Sequence, residues 1–146
     1  MGITRKATAV WNGTGKEGKG ILSSTSGVLN ETPYSFAARF VSEDGKAGTN
    51  PEELIAAAHA GCFAMALSFQ LNGAGFTADE LKAKASVSMD NASGHFEFTE
   101  IHLDLEAKIP GISHEKFMEL AEVAKKNCPV SLALASVKIT MDAKLK

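Results

Sequence analysis

Two cysteines are the residues of this chain best suited to covalent chemistry. Cys62 follows His59 by three residues, a spacing that places both side chains on one face of a helix, where the imidazole could help to ionise the thiol. A buried helix also commonly carries cysteine as a small apolar residue and histidine as a satisfied core residue. These two residues alone therefore leave both interpretations open.

Cys128 lies in a different setting, at the end of a predicted helix and directly before Pro129. If Pro129 begins the next helical turn, Cys128 caps that turn, a position that favours a thiolate; the alternative is a terminal residue without a role. The first ten residues contain no apolar run of the kind that a secretory signal has, so we expect a cytoplasmic protein. Because that compartment keeps thiols reduced, a bond between the two cysteines would be catalytic or sensing.

The sequence lacks the motifs of metal sites, serine hydrolases and nucleotide-binding proteins. No C-x-x-C or H-E-x-x-H spacing occurs, and the histidines show no zinc-ligand pattern. The chain also lacks the G-x-S-x-G, phosphate-loop and dinucleotide-binding motifs. The formal net charge is -2 and the 15 basic residues are scattered, which argues against a nucleic-acid partner. We therefore expect no metal, no cofactor and no nucleic acid. The four histidines are His59, His95, His102 and His114.

The length of 146 residues predicts a single domain over residues 1–146. Its N-terminal part is predicted to be a meander of three strands, the first two separated by a glycine-rich turn. Apolar and polar residues alternate in the first strand, as is typical of a half-buried strand. The predicted strands are Arg5–Trp11, Ile21–Thr25 and Tyr34–Val41.

Residues 49–72 are predicted to form the central helix of the fold. Thr49 and Asn50 are suitable caps, and Pro51 suits the first helical position. The body of the helix is apolar almost all round, which predicts burial on every side. A membrane span is the competing interpretation of this length, but His59, the polar residues near its end and the lack of basic flanks argue against it. We expect no membrane association.

The C-terminal part is predicted to contain two strands, a helix and a final strand. In the second of these strands the apolar residues change from even to odd positions, which requires a β-bulge near Thr99 or Glu100. A helix follows over Ser113–Lys126, with a further turn at Pro129–Leu134 and a last strand from Val137. The order βββ-α-ββ-α-β predicts an α+β fold with antiparallel sheets.

Several segments together closely resemble the OsmC/Ohr family of thiol peroxidases. The likeness spans nearly the whole chain, and the combination of Asn-Pro-Glu-Glu-Leu, the first cysteine and the distant Cys-Pro is specific. The Ser-Gly-Val-Leu and Ala-Ala-His-Ala stretches look more like the OsmC branch than the Ohr branch. The segments are Thr25–Leu29, Tyr34–Phe40, Gly48–Ser68 and Asn127–Ser131.

The resemblance implies an intertwined homodimer, with antiparallel sheets wrapped around two central helices and active sites at the interface. It implies a peroxidase that reduces organic hydroperoxides, and hydrogen peroxide more weakly, in oxidative and osmotic stress defence. Cys62 would be the peroxidatic nucleophile and Cys128 the resolving thiol. Arg39 and Glu52, rather than Glu53, would orient and activate Cys62. A dithiol or a lipoyl-bearing protein would be the reductant.

Helix geometry adds an expectation about the dimer. Glu52 and Cys62 are ten residues apart, so a straight helix separates them by about 15 Å along its axis. If Glu52 acts at Cys62, it must come from the partner chain, through central helices that cross near residues 56–60. Two other functions stay open: a redox sensor or small-ligand-binding module without turnover, and a thiol hydrolase that uses Cys62 with His59.

Overall fold

The computed structural model describes residues 2–146 and has the predicted α+β composition. Contacts divide the described chain into two compact units, residues 2–54 and residues 55–146. Each unit contains one three-stranded sheet. The strands are β1 (Ala7–Asn12), β2 (Lys19–Ser24), β3 (Thr32–Tyr34), β4 (Glu80–Asp90), β5 (Glu97–Lys108) and β6 (Lys138–Leu145), and the helices are α1 (Pro51–Gly73), α2 (His114–Asn127) and α3 (Pro129–Ala133).

The N-terminal unit is an antiparallel sheet in the order β1-β2-β3. The rings of Trp11 and Tyr34 pack on each other with centroids 5.3 Å apart. Gly20 lies under them, and a Cβ at this position would overlap both rings. The prediction of a half-buried first strand is wrong, because every residue of β1 except Trp11 is exposed.

The predicted third strand is too long, because the chain leaves the sheet after Tyr34 and forms a π-helical turn over Ala37–Val41. The Ser35 hydroxyl accepts a hydrogen bond from the Ala38 N–H at 3.1 Å. The rings of Phe36 and Phe40 pack with centroids 4.9 Å apart. Residues four apart would be about 13 Å from each other in a strand, so the aromatic pair requires the helical conformation.

Helix α1 confirms the predicted central helix. The Asn50 side chain accepts a hydrogen bond from the Glu53 N–H at 2.7 Å and so caps the first turn. The helix is long and apolar enough, by length and composition alone, to cross a membrane, a property that core helices of soluble proteins share.

The prediction that α1 is buried on every side is wrong for the single chain. Its buried residues recur every fourth position and form one stripe, because one chain supplies packing partners on one face only. On the other side of the helix, Met65 and Phe69 are 65% and 71% exposed. The buried stripe consists of His59, Phe63, Leu67 and Leu71.

The second sheet confirms the predicted bulge. Strands β4 and β5 are antiparallel, with Ser88 opposite Glu100 and Met89 opposite Phe98. Thr99 is therefore the extra residue that moves the apolar side chains from even to odd positions.

The direction of the last strand differs from the prediction. Strand β6 pairs with β5 in parallel, with Ile139 opposite Ile101, whereas antiparallel sheets were expected. The reason is the connection: α2 and α3 carry the chain back to the starting end of β5, as a parallel pair requires. The inward row of β5 then packs with α1 and α2 in one core that also contains Cys128.

Candidate active site

The structure brings Cys62 and Cys128 together within the unit formed by residues 55–146. Both thiols are free. Cys62 lies in the middle of α1, is half-buried and packs against the core that contains Cys128. Cys128 and the backbone of Val130 are close enough to the Cys62 thiol to influence its pKa. Two cysteines that are distant in the sequence are thus neighbours in the fold.

Within its own unit Cys62 is held as a thiol. Burial raises the pKa of Cys62, and the neighbouring Cys128 raises it further, while the Val130 hydrogen bond lowers it. A nucleophilic thiolate at Cys62 therefore needs a positive charge from outside this group of residues.

Cys128 caps α3, as its position before Pro129 predicts. Its extended backbone ends α2, and Pro129 begins α3. The sulfur accepts a hydrogen bond from the Ser131 N–H at 3.4 Å and lies 3.0 Å from the Ser131 hydroxyl. Cys128 is only 1% exposed, so it is far less accessible than Cys62.

His59 contacts Ser131. Its Nε2 is 2.7 Å from the Ser131 Oγ, and burial lowers the pKa of the imidazole. The side chain is completely buried, and its Nδ1 has no hydrogen-bond partner among the described residues. A satisfied core histidine has hydrogen-bond partners for both ring nitrogens. Nε2 of His59 has such a partner and Nδ1 has none, so this interpretation accounts for only half of the ring.

Ser131 is the residue that sequence reasoning missed. A serine three residues after a capping cysteine is a detectable signal, since this spacing returns the third residue to the cap. Its bond to His59 links α3 to α1 across 72 residues of sequence, and no local pattern predicts such a contact.

Arg39 and Glu52 form an ion pair within the unit formed by residues 2–54. Nη2 of Arg39 is 2.6 Å from Oε1 of Glu52, and Nε is 3.0 and 3.2 Å from the two carboxylate oxygens. Glu53 instead accepts a hydrogen bond from the Thr49 hydroxyl. The planar guanidinium also lies over the ring of Phe40, 4.8 Å from its centroid. Its orientation is therefore fixed from two sides.

A hollow of about 280 Å³ adjoins the Arg39 guanidinium. Its wall is mostly aromatic, with one charged group, which is the composition of sites for small apolar molecules that carry one polar end. The lining residues are Trp11, Gly15, Tyr34, Ser35, Phe36, Arg39 and Phe40.

In the part of the chain that the structure describes, one group of possible metal ligands lies on the outer face of the second sheet, although the sequence shows no ligand spacing. Nε2 of His102 is 3.1 Å from Asp142 and 3.4 Å from Asp104. The Nδ1 of the same ring contacts the Thr140 hydroxyl, which donates to Glu100. Both ring nitrogens of His102 thus have partners within the protein, so the arrangement needs no ion to hold it together.

Comparison with known proteins gives consistent results. A family model described as OsmC-like protein matches residues 43–142. The chain is 48% identical to Peroxiredoxin OsmC of Escherichia coli (strain K12) over 146 residues, which are 100% of this chain and 99% of that protein. It is 31% identical over 115 residues to the organic hydroperoxide resistance protein OhrB of Bacillus subtilis (strain 168), covering 78% of this chain and 80% of that protein.

Solved structures have the same fold. The crystal structure of OhrB of Bacillus subtilis has a TM-score of 0.66 and 30% identity, covering 99% of this chain and 98% of that chain. An OsmC-like protein from Mycoplasma pneumoniae has a TM-score of 0.76 over 99% of both chains. Because its identity is 21%, this second likeness concerns the fold alone.

Proposed function

This chain belongs to the OsmC-like protein family and is a peroxidase, and we propose that it reduces organic hydroperoxides to alcohols through Cys62 and Cys128. The observation that carries the proposal is the contact between these two free thiols inside one compact unit. A thiol that is oxidised to a sulfenic acid beside a second thiol condenses with it to a disulfide.

Cys62 is the sulfur that meets the peroxide, because it is half-buried whereas Cys128 is enclosed. The Cys62 thiolate attacks the terminal hydroxyl oxygen of the hydroperoxide, and the O–O bond breaks. The alkoxide leaves with the bonding electron pair, takes up a proton and becomes the alcohol. Cys62 is left as a sulfenic acid.

Cys128 then attacks the Cys62 sulfur. The S–S bond forms, the S–O bond breaks, and the oxygen leaves as water. A dithiol of the dihydrolipoyl type reduces the disulfide by two exchange steps and is itself oxidised to a cyclic disulfide. This demand for thiol reductant suits a reducing compartment, so we place the protein in the cytoplasm.

Arg39 supplies the positive charge that Cys62 needs. A guanidinium lowers the pKa of a thiol, and its N–H groups hold the peroxide oxygens and the developing alkoxide. Glu52 fixes the plane of the guanidinium through their two-point ion pair. Because ten residues of α1 separate Glu52 from Cys62, the Arg39–Glu52 pair of one chain serves Cys62 of a second copy.

A homodimer is also favoured by the uncovered side of α1. Met65 and Phe69 are large apolar residues on the longest helix of the chain, and both are mostly exposed. Exposed apolar surface of this kind marks an interaction site. A second copy that covers this side would give α1 the all-round burial that its apolar sequence predicts.

The aromatic hollow beside Arg39 indicates the substrate class. Aromatic walls favour an alkyl or aryl hydroperoxide over hydrogen peroxide, since burying an apolar group contributes about 25 cal/mol per Å². Hydrogen peroxide has no such group and would react more weakly.

Steady-state consumption of cumene hydroperoxide with dihydrolipoamide tests the proposal. Wild type should consume many equivalents, and Cys62→Ser should consume none. The second candidate is a redox sensor, which the neighbouring pair of free thiols favours, because an accessible thiol beside a resolving cysteine can be oxidised reversibly to a disulfide. A sensor would oxidise once in stoichiometric amount and show no turnover with any dithiol.

A further inference from the structure

Cys128, Ser131 and His59 form one continuous hydrogen-bonded chain. The Cys128 Sγ is 3.0 Å from the Ser131 Oγ, which is 2.7 Å from the His59 Nε2. All three side chains are buried, with exposed fractions of 1%, 3% and 0%. The chain therefore connects the sulfur proposed to resolve the sulfenic acid with an imidazole, through a single hydroxyl.

The chemistry of the three groups allows a proton to move in one direction along this chain. With the ring hydrogen on Nδ1, the His59 Nε2 accepts from the Ser131 hydroxyl, and the Ser131 oxygen accepts from the Cys128 thiol. The unpartnered Nδ1 of His59 then carries a hydrogen throughout, and only Nε2 changes its state. Buried polar atoms usually have partners, so an orphan nitrogen beside such a chain requires an explanation.

We propose that Ser131 and His59 take up the thiol proton of Cys128 while Cys128 attacks the sulfenic acid of Cys62. The inference rests on the proposed function, which supplies the sulfenic acid. As the S–S bond forms, the Cys128 proton moves to the Ser131 oxygen and the Ser131 proton moves to His59 Nε2. The S–O bond breaks, and the departing hydroxide becomes water by taking up the proton that Cys128 released, which returns from His59 Nε2 through Ser131. His59 is then neutral again, and no proton is gained or lost overall.

The burial of Cys128 favours such an acceptor. Solvent reaches a sulfur that is 1% exposed only rarely, so at neutral pH, where hydroxide is scarce, the thiol proton leaves faster to a partner inside the protein. The Ser131 N–H, which donates to the same sulfur at 3.4 Å, stabilises the charge that develops there. Ser131 touches the reacting sulfur and is therefore catalytic, whereas His59 acts through Ser131.

The neutral form of the His59 imidazole is the form that can accept a proton from Ser131. Burial lowers the pKa of His59, so the ring is neutral and able to accept at neutral pH. Among the described residues, the titratable groups that face this chain of contacts are the two thiols, Cys62 from α1 and Cys128 from the junction of α2 and α3.

Single-turnover rapid mixing separates this step from the first oxidation. One equivalent of cumene hydroperoxide is mixed with reduced dimer, and the Cys62 sulfenic acid and the Cys62–Cys128 disulfide are followed separately by quenching and mass spectrometry. The variants are Ser131→Ala, which removes the hydroxyl, and His59→Gln, which keeps a polar group but accepts no proton. Ser131→Thr restores the hydroxyl and serves as the rescue variant.

The account expects sulfenic acid to form at the wild-type rate in all variants. Disulfide formation at pH 7 should be slower by roughly 10- to 100-fold in Ser131→Ala and His59→Gln, and Ser131→Thr should recover most of the rate. Above pH 9 the gap should close, since hydroxide then removes the proton.

A purely structural role predicts different results. Equal disulfide rates in wild type and Ser131→Ala, or a gap that is the same at pH 7 and pH 9, would overturn the inference while leaving the peroxidase intact. Absence of sulfenic acid in wild type would overturn the proposed function and the inference together. A variant that misfolds is recognised by slowed formation of the sulfenic acid. If Ser131→Ala misfolds, the rate of disulfide formation in His59→Gln, which preserves the Ser131 backbone contact, tests the inference instead.

Discussion

Arg39 and Glu52 face each other in a two-point ion pair, with Nη2 2.6 Å from Oε1 and Nε 3.2 Å from Oε2. Fork-to-carboxylate pairing of this kind fixes the plane of the guanidinium as well as its position. A fixed plane aims the remaining N–H groups in one direction, which is what stabilisation of a developing alkoxide requires.

Replacing Arg39 with lysine tests whether geometry or charge alone matters. Arg39→Lys keeps the positive charge but loses the fork, so kcat/KM for cumene hydroperoxide should fall by about 100- to 1,000-fold. Arg5 is the only other arginine of the chain and is exposed, which makes Arg5→Lys the matched control with unchanged activity. A loss below threefold in Arg39→Lys would contradict an orienting role.

Glu52 and Glu53 are adjacent carboxylates with different partners, and they provide a second comparison. Glu52→Gln weakens the pair with Arg39 without removing the guanidinium, so we expect a fall of about tenfold in kcat/KM, smaller than for Arg39→Lys. Glu53→Gln affects the contact with Thr49 and should keep near-wild-type activity. Equal losses in both variants would show that the first turn of α1, not the ion pair, is what matters.

A charge on the uncovered side of α1 should separate the proposed dimer. Phe69 is 71% exposed in the single chain, and Phe69→Glu would place an unpaired carboxylate in the proposed interface, at a cost of several kcal/mol. Light scattering should report a monomer without peroxidase activity. Ser86→Glu adds the same charge on the exposed face of β4 and should remain dimeric and active. A dimeric, active Phe69→Glu variant would refute the proposed use of this face.

The fold followed from the sequence where local chemistry decides the outcome. Asn50 and Pro51 marked the start of α1, and the change of phase in β5 located the bulge near Thr99 or Glu100. The direction of β6 could not be predicted, because alternation of apolar residues is the same in parallel and antiparallel strands. The predicted length of the third strand was wrong because Phe36 and Phe40 pack on each other as helical neighbours. The alternation of residues in the sequence does not reveal this contact.

The candidate site, like the fold, could be predicted from the sequence only in part. The two cysteines stand out by type alone, and the resemblance to the family supplied Arg39 and Glu52. Ser131 escaped notice because its role depends on contacts with His59 and Cys128, and the first of these partners is far away in the sequence. Tertiary hydrogen bonds of common residues leave no periodic or compositional signal.

The buried imidazole gives a pH dependence of stability. Burial lowers the pKa of His59, so the unfolded chain, whose histidine has a pKa near 6.5, binds this proton more readily than the folded protein. The corresponding stability is complete above pH 6.5 and is lost as pH falls through the window below it. Urea unfolding at fixed protein concentration should show a larger drop from pH 7.5 to pH 5.5 in wild type than in His59→Gln. Equal drops would contradict the lowered pKa.

The most direct measurement of the central claim follows the oxidation states of Cys62 and Cys128 after one equivalent of organic hydroperoxide. The account predicts a Cys62–Cys128 disulfide in wild type, and in Cys128→Ser a Cys62 sulfenic acid that dimedone traps after a single turnover. In Cys62→Ser, Cys128 should stay reduced because it is enclosed. A Cys128 sulfenic acid in that variant, or a wild type in which both thiols stay reduced, would contradict the assignment of Cys62 as the sulfur that meets the peroxide.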